Sequence, residues 1–412
     1  MRSDIVAAID VGTTKVCTLV GHEDDNGVVQ ILGVGVSSAR GINKGMVVDV
    51  ELAAESIRIS VERAEKSSGN PIDFAYVGIT GSHIGSLNNK GVVAINHNDR
   101  VVGLGDVERV IEAAKVINIP NNRQVLHVLP RSYTLDGLEG VKNPLGLHGF
   151  RLDLEAHIIT GSVASVQNLT KCVEEAGVGV DGLILEPLAS GEAVLTQGEK
   201  DTGVLLADIG GGTTDIAVFI DGSILHTSVI PLGGNHFTND LVIGLRAPYA
   251  AAEEAKIRFG NVDPKSSAEA EEAVEVSGFG AETRRSVSPQ LIRDILRPRL
   301  EEVLEMIMGE IRRTGLHSRL PAGLVLTGGT ANLRGISSVA SSLTKMPTRV
   351  GKPDGVYGLM ETVSNPAFST SVGLLIWALK YGDVREKRTP SGFFLADAFK
   401  RLASWTKELV PG

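Results

Sequence analysis

The sequence predicts an α/β protein of two related lobes, and three observations carry that expectation. One motif occurs twice: Ile9-Asp10-Val11-Gly12-Thr13-Thr14-Lys15 near the N-terminus, and Asp208-Ile209-Gly210-Gly211-Gly212-Thr213-Thr214-Asp215 much later. Each copy is flanked by apolar β-formers, Ile5 to Ile9 in one and Val204 to Ala207 with Ile216 to Ile220 in the other. Strand and helix signals alternate along the opening segment, the pattern of layered α/β architecture.

Each motif reads as strand, tight glycine turn, strand. Such a turn exposes backbone N–H groups and two hydroxyls, which suit phosphate oxygens. The acid at the strand end suits a hard cation held through water. Two such turns suggest two lobes gripping one nucleotide between them.

The first lobe opens with strands at Ile5–Asp10, Val16–Gly21 and Val28–Val36. A helix follows over Val50–Lys66, with Leu52, Ile57, Val61 and Ala64 spaced to form an apolar face. Phe74–Thr80 is a short strand ending at Gly81-Ser82. From about His83 the character changes. Strands at Val92–Ile95, Val125–Pro130 and Leu152–Thr160, and a helix over Asp106–Ala114 capped by Asp106, describe a small α+β unit inserted at 83–162. A helix over Val163–Gly177 and a strand over Val180–Glu186 lead into Pro187.

The second lobe starts near Asp201. Its turn is followed by a helix over Ala250–Phe259 and a polar surface loop or hairpin over Asp263–Ser277. Ser288-Pro289 starts a long helix through Ile311, with the proline ring at its first position. Gly323–Thr327 is a strand ending in Gly328-Gly329. Residues 382–390 read as a charged linker, and 391–412 as an amphipathic helix.

Composition narrows the function. A length of 412 residues allows two or more domains with cores. A hydrophobic share of 42% and a charged share of 22% describe a soluble globular protein. The net charge of −9 argues against nucleic acid as a partner. Cys17 and Cys172 sit in apolar surroundings and read as buried small residues in a reducing cytoplasm. Neither a signal peptide nor a run of about 20 apolar residues is expected.

Five elements fall in a fixed order: the turn at 10–15, Glu186-Pro187-Leu188-Ala189-Ser190, the turn at 208–215, Gly323-Leu324-Val325-Leu326-Thr327-Gly328-Gly329-Thr330, and Ser369-Thr370-Ser371-Val372-Gly373-Leu374. That order resembles the actin, Hsp70 and sugar-kinase superfamily, and it implies the actin/Hsp70-like (ribonuclease H-like) two-lobe fold with Mg²⁺ and ATP as cofactors. The resemblance implies that Asp10 and Asp208 hold Mg²⁺ through water. Gly12, Thr13, Thr14, Gly210, Gly211, Gly212, Thr213 and Thr214 would face the phosphates, with Lys15 a point charge beside them. Gly328 and Gly329 would let the backbone pass close to adenine and the α-phosphate. Glu253 and Lys256, one helical turn apart, read either as ribose contacts or as an exposed ion pair. Glu186 stands where relatives keep a residue that orients the attacking water, so Glu186 and Asp208 are the candidates for a weak ATPase.

Further stretches narrow the resemblance: Thr80-Gly81-Ser82-His83, Val125-Leu126-His127-Val128-Leu129-Pro130, Gly140-Val141-Lys142-Asn143-Pro144-Leu145-Gly146-Leu147, Leu225-His226-Thr227 and Val229-Ile230-Pro231-Leu232-Gly233-Gly234-Asn235. With the terminal amphipathic segment, these resemble the bacterial cell-division FtsA family from residue 5 to about 410. The resemblance implies a first lobe (1A) of 1–82, 163–198 and 360–381, an inserted domain (1C) of 83–162, a second lobe (2A) of 199–225 and 301–359, and subdomain 2B of 226–300. It also implies ATP binding, self-association into actin-like filaments, and a peripheral place on the inner face of the cytoplasmic membrane at the division site. There the protein would hold the tail of the tubulin-like partner FtsZ and recruit other division proteins. Arg285 and Arg299 read either as contacts to that acidic tail or as solvated surface charges.

Leu395, Phe399, Leu402, Trp405 and Leu409 form one stripe, widened by Phe394. Lys400, Arg401 and Lys407 fall elsewhere, which suits a helix lying in an anionic headgroup layer. Each large side chain contributes at most roughly 1.5–3 kcal/mol, so one copy binds marginally and a filament of many copies binds firmly. A helix docked on the body is the other reading. A soluble actin/Hsp70-like ATPase, a small-molecule kinase and a pilus-assembly-type actin-like protein are the competing functions.

Overall fold

A computed structural model describes residues 5–263, 273–279 and 284–382. Two mixed sheets form its frame. The first runs, edge to edge, through Gly179–Leu185, Phe74–Ile79, Val6–Val11, Lys15–Glu23, Val29–Ser38 and Val356–Gly358. The second runs through Ser223–Ile230, Thr214–Ile220, Val204–Ile209, Gly323–Thr327 and Thr348–Val350. Both follow one plan: three antiparallel strands in chain order, then parallel strands beside the first of them. The duplication visible in the two motifs therefore extends to the sheets that carry them. Val204–Ile209 and Thr214–Ile220 are buried at every position, which is why they read as continuous apolar runs rather than alternating ones.

Helix Val50–Ser68 starts where the Asp49 carboxylate accepts from Leu52 N and stops at Gly69, which has a positive φ. It lies directly on the first sheet, since a Cβ at Gly35 would come within 1.9 Å of Ser60 O. Leu52 is 42% exposed. The buried face uses Ala53 with Ile57, Val61 and Ala64 instead.

The inserted unit is an antiparallel sheet ordered Gly85–Ala94, Arg151–Ser162, Arg123–Leu135, Leu138–Val141, crossed by helix Leu104–Ala114. It has its own core, including Ile95, Val107, Val110, Leu152, Leu154 and Ile158. Its first strand starts well before the expected Val92, since the polar run Asn88-Asn89 is held by hydrogen bonds rather than by burial. Asp106 lies inside the first turn of its helix, after the cap at Gly103, and accepts from Gly103 N at 2.9 Å.

Three expected boundaries shift. Val356–Gly358 pairs with Val29–Ile31 and so belongs to the first sheet, not the second lobe. His226–Ile230 completes a strand of the second sheet rather than opening a separate subdomain. The division at 300/301 falls inside one unbroken helix, Pro289–Thr314, whose Ile292, Leu296, Leu300, Val303 and Ile307 enter the same core as the second sheet. Of the polar segment 263–277, Val274–Ser277 pairs with Arg284–Val287 as a hairpin. Residues 383–412, with nearly all of the linker and the whole amphipathic stripe, lie outside the described residues.

Two helices cross between the lobes, Glu186–Val194 and Ser369–Tyr381. At the crossing a Cβ on Gly373 would lie 1.8 Å from Ala189 O, so only glycine permits this approach. The second helix is tied at its start to the second lobe, where Thr327 Oγ1 donates to Ser369 Oγ at 2.7 Å. Among the described residues no helix is long and apolar enough to cross a membrane. Cys17 and Cys172 are buried free thiols, as expected.

Candidate nucleotide site

The two turns are built alike. Gly12 N donates to Lys15 O at 3.0 Å, and Gly210 N donates to Thr213 O at 2.9 Å. In each lobe the acid stands in the antiparallel register opposite the residue seven positions on: Asp10 opposite Cys17, Asp208 opposite Asp215. The turns face each other across the lobes. A Cβ on Gly211 would lie 2.4 Å from Thr14 Cγ2, and one on Gly212 2.6 Å from Thr13 Oγ1. Glycine is thus required in the second turn by the first turn, not only by its own backbone.

Beneath the turns lie four carboxylates. Asp10 Oδ2 accepts from Ser371 Oγ at 2.6 Å and from Lys15 Nζ at 3.4 Å. Asp208 Oδ2 accepts from Thr370 Oγ1 at 2.8 Å. Asp215 accepts from Thr213 Oγ1 at 3.0 Å and from Thr80 Oγ1. Glu186 is buried, and its Oε1 has no hydrogen-bond partner. Both crossing helices begin here, so their positive N-terminal ends point at the negative cluster.

Burial dominates the electrostatics. It pushes Asp208 up to about 6, with Thr370 opposing and Asp10 adding to the shift. It raises Glu186 well above the usual range, reinforced by Asp10, Asp215 and Asp208. Asp215 is raised by the same cause, against the hydrogen bond from Thr80. Burial pulls the Lys15 ammonium down, but Asp10, Cys17 and Asp208 together outweigh it and the net shift is upward.

The remaining expected residues divide. Lys256 Nζ pairs with Glu253 Oε2 at 2.8 Å and donates to Thr238 Oγ1 and Gly234 O at 2.8 and 3.1 Å. This pair sits against the second turn rather than in open solvent, since Gly234 N donates to Gly210 O. Thr214 Oγ1 instead donates to Leu232 O, behind the turn. Gly328 has φ +86°, and a Cβ there would lie 2.4 Å from Asp208 Oδ1. Gly329 has only Ala367 Cβ nearby, at 3.9 Å. Arg299 is held in a fork by Asp240 at 2.7 and 2.9 Å and also by Glu302. Arg285 is exposed on the hairpin. Phe394, Leu395, Phe399, Leu402, Trp405 and Leu409 lie outside the described residues.

Thr80, Asp215, Thr370 and Ser371 escaped the sequence reading as site residues. Asp215 was legible, being the last residue of the repeated motif and the antiparallel partner of Asp208. The two hydroxyls arrive by the helix crossing, which leaves no local signal.

The donor set fits a magnesium nucleotide. Mg²⁺ is a hard cation that keeps several waters and takes one or two carboxylates. Among the described residues no three His, Cys, Asp or Glu side chains converge as direct ligands, while Asp10 and Asp208 stand buried under two N–H-lined turns. Glu186 Oε1, buried and without a hydrogen-bond partner, belongs to the same carboxylate cluster.

Comparisons with known proteins agree with this architecture. The family model described as cell division protein FtsA matches residues 205–373, and that of the SHS2 domain inserted in FtsA matches residues 81–160. The cell division protein FtsA of Pseudomonas aeruginosa is 44% identical over 98% of this chain and 97% of its own length. That of Escherichia coli K12 is 36% identical over 98% of both. Among solved structures, the PilM–PilN type IV pilus biogenesis complex matches with a TM-score of 0.65 at 16% identity, covering 91% of this chain and 98% of that one. MreB5 of Spiroplasma citri bound to AMPPNP matches with a TM-score of 0.56 at 14% identity, covering 92% and 96%. These likenesses show an actin-like fold.

Proposed function

The chain belongs to the family of the cell division protein FtsA, and from that membership we propose a membrane-tethered, Mg-ATP-binding filament protein. The observation that carries the proposal is the pair of facing turns, each preceded by a buried carboxylate, Asp10 or Asp208, at its strand end. Gly12 and Gly210 brace the turns through their own N–H bonds to Lys15 O and Thr213 O, while the N–H groups of Gly211 and Gly212 and the hydroxyls of Thr13 and Thr14 hold the phosphates. Asp10 and Asp208 hold the hydrated metal, oriented by Ser371 and Thr370. Mg²⁺, when bound, offsets phosphate charge and polarises the terminal phosphoryl group. Glu186 orients the attacking water, and hydrolysis is slow. That MreB5 is solved with AMPPNP supports the nucleotide.

Residues 391–412 lie in the anionic inner face of the cytoplasmic membrane at the division site. The 226–300 region, with Arg285 exposed on its hairpin, takes the acidic tail of FtsZ. Arg299 serves by fixing the helix there through Asp240. ATP-linked assembly multiplies weak tail contacts into firm attachment. A pilus-assembly role shares the fold but lacks the sequence likeness, at 16% against 44% identity.

Flotation with anionic liposomes and Mg-ATP tests the tethering. The full chain should float, and a chain ending at Thr389 should stay in solution. If both remain in solution, the anchor assignment fails.

A further inference from the structure

Strand Gly179–Leu185 is an edge of the first sheet, and an edge strand presents backbone N–H groups that need acceptors from elsewhere. At its last residue that acceptor comes from the inserted domain. Leu185 N donates to Nε2 of His127 at 3.1 Å. The bond requires Nε2 to carry no proton. His127 belongs to strand Arg123–Leu135, in register opposite Ile159.

Leu185 is the residue before Glu186 and caps the helix that Glu186 opens. That helix has no side-chain cap, and Pro187 in its first turn has no N–H to offer one. The carboxylate tip of Glu186 adds little restraint of its own, since Oε1 has no partner. Its placement is therefore set by the backbone at 185–186, which His127 holds from outside.

The His127 ring is itself held. It meets Trp377 edge-on at 6.2 Å between ring centres, and Trp377 packs against Tyr76 at 6.3 Å and Tyr381 at 5.4 Å. Trp377 lies on helix Ser369–Tyr381, whose first turn carries Thr370 and Ser371. One side chain of the inserted domain thus touches both helices that deliver groups to the carboxylate cluster.

We propose that His127 is a positioning residue for Glu186, so that the inserted domain sets the turnover of the bound nucleotide. The proposal rests on the reading of Glu186 as the water-orienting group. The domain is fastened to the second lobe as well. Nε2 of its His157 meets Thr227 Oγ1 at 3.1 Å, Ser86 Oγ donates to Thr227 O at 2.9 Å, and Asn88 Nδ2 donates to Leu225 O at 3.4 Å. A movement of the inserted domain would therefore be felt at Leu185 and at the strand beside Asp215 together.

Two substitutions separate the hydrogen bond from ring packing in the full chain. H127F keeps a ring edge against Trp377 and removes the acceptor. H127Q places an amide oxygen the same number of bonds from Cβ as Nε2 and keeps the acceptor. Single-turnover hydrolysis of radiolabelled Mg-ATP, with protein in excess, reads even a slow reaction. H127F should lower the rate about tenfold with ATP affinity changed less than about twofold, the pattern of a misplaced group rather than lost binding. H127Q should restore at least about half of the rate. In an E186Q background H127F should cost nothing further. A wild-type rate for H127F beside a reduced rate for E186Q overturns the positioning role alone. A wild-type rate for E186Q overturns the reading of Glu186, and this role with it. Equal losses in H127F and H127Q with unchanged affinity also overturn it, because the acceptor would then be irrelevant.

Discussion

The Thr80 hydroxyl donates to the Asp215 carboxylate across the two lobes, both residues being buried. Thr80 follows the last residue of strand Phe74–Ile79 in the first sheet, and Asp215 lies in strand Thr214–Ile220 of the second. One of the ties across the cleft thus lies beside the point where the inserted domain departs. Thr80→Val leaves shape nearly unchanged and strips a buried carboxylate of a donor. It should destabilise the nucleotide-free protein by about 1–3 kcal/mol and speed nucleotide release. Urea denaturation and displacement of a fluorescent ATP analogue check both.

The same carboxylates set a pH dependence. Burial raises the folded-state pKa of Asp215 and Glu186, and that of Asp208 to about 6. A raised carboxyl pKa contributes stability that is full below the unfolded value near 4 and is lost as pH rises through the folded value. The nucleotide-free protein should therefore lose thermal stability as pH rises from about 4 to about 7, through the folded values of Asp208 and Asp215. Asp215→Asn should flatten that slope and raise stability at the alkaline end by roughly 1–3 kcal/mol. Melting curves across the range decide it; an unchanged slope in the variant would remove Asp215 as its source.

Contact between the turns makes a sharper steric prediction. Gly211→Ala drives a methyl into Thr14 Cγ2 and should weaken ATP binding by about tenfold or more. Thr14→Ser deletes the clashing methyl and keeps the hydroxyl, so the double variant should recover much of the affinity. Calorimetric titration of the single and double variants measures this. No recovery would mean that the turns do not act as a facing pair.

The strand-turn-strand motifs were legible because short-range chemistry makes them: an acid, glycines that free the backbone, and apolar runs buried on both sides. The inserted unit was legible by its change of pattern. What stayed hidden is tertiary. Leu52 has the right spacing for the buried face of its helix but is half-exposed, while Ala53 takes the place against the sheet. Val356–Gly358 is only three residues long and crosses to the first sheet by pairing with Val29–Ile31, which no local composition announces. Thr370 and Ser371 read as small helix residues until the crossing at Gly373 places them on Asp208 and Asp10. For Arg299 the resemblance left a partner contact and a solvated charge both open, and its fork to Asp240, 59 positions away in sequence, had no local signal.

The crossing itself can be tested. Gly373→Ala would press a methyl onto Ala189 O, where backbone cannot yield as a side-chain tip can. The expected loss of stability is about 1–3 kcal/mol or more, with the melting temperature as readout. A small effect would mean the two helices separate easily, and their control of the carboxylates would be weaker than described.

Calorimetric titration of ATP into the full chain, with Mg²⁺ and with EDTA, tests the central claim most directly, repeated for Asp10→Asn and Asp208→Asn. The account predicts tight binding only with Mg²⁺, and a loss of about tenfold or more in each variant while its circular dichroism stays native. Binding that ignores both Mg²⁺ and the two substitutions would contradict it and place the nucleotide elsewhere.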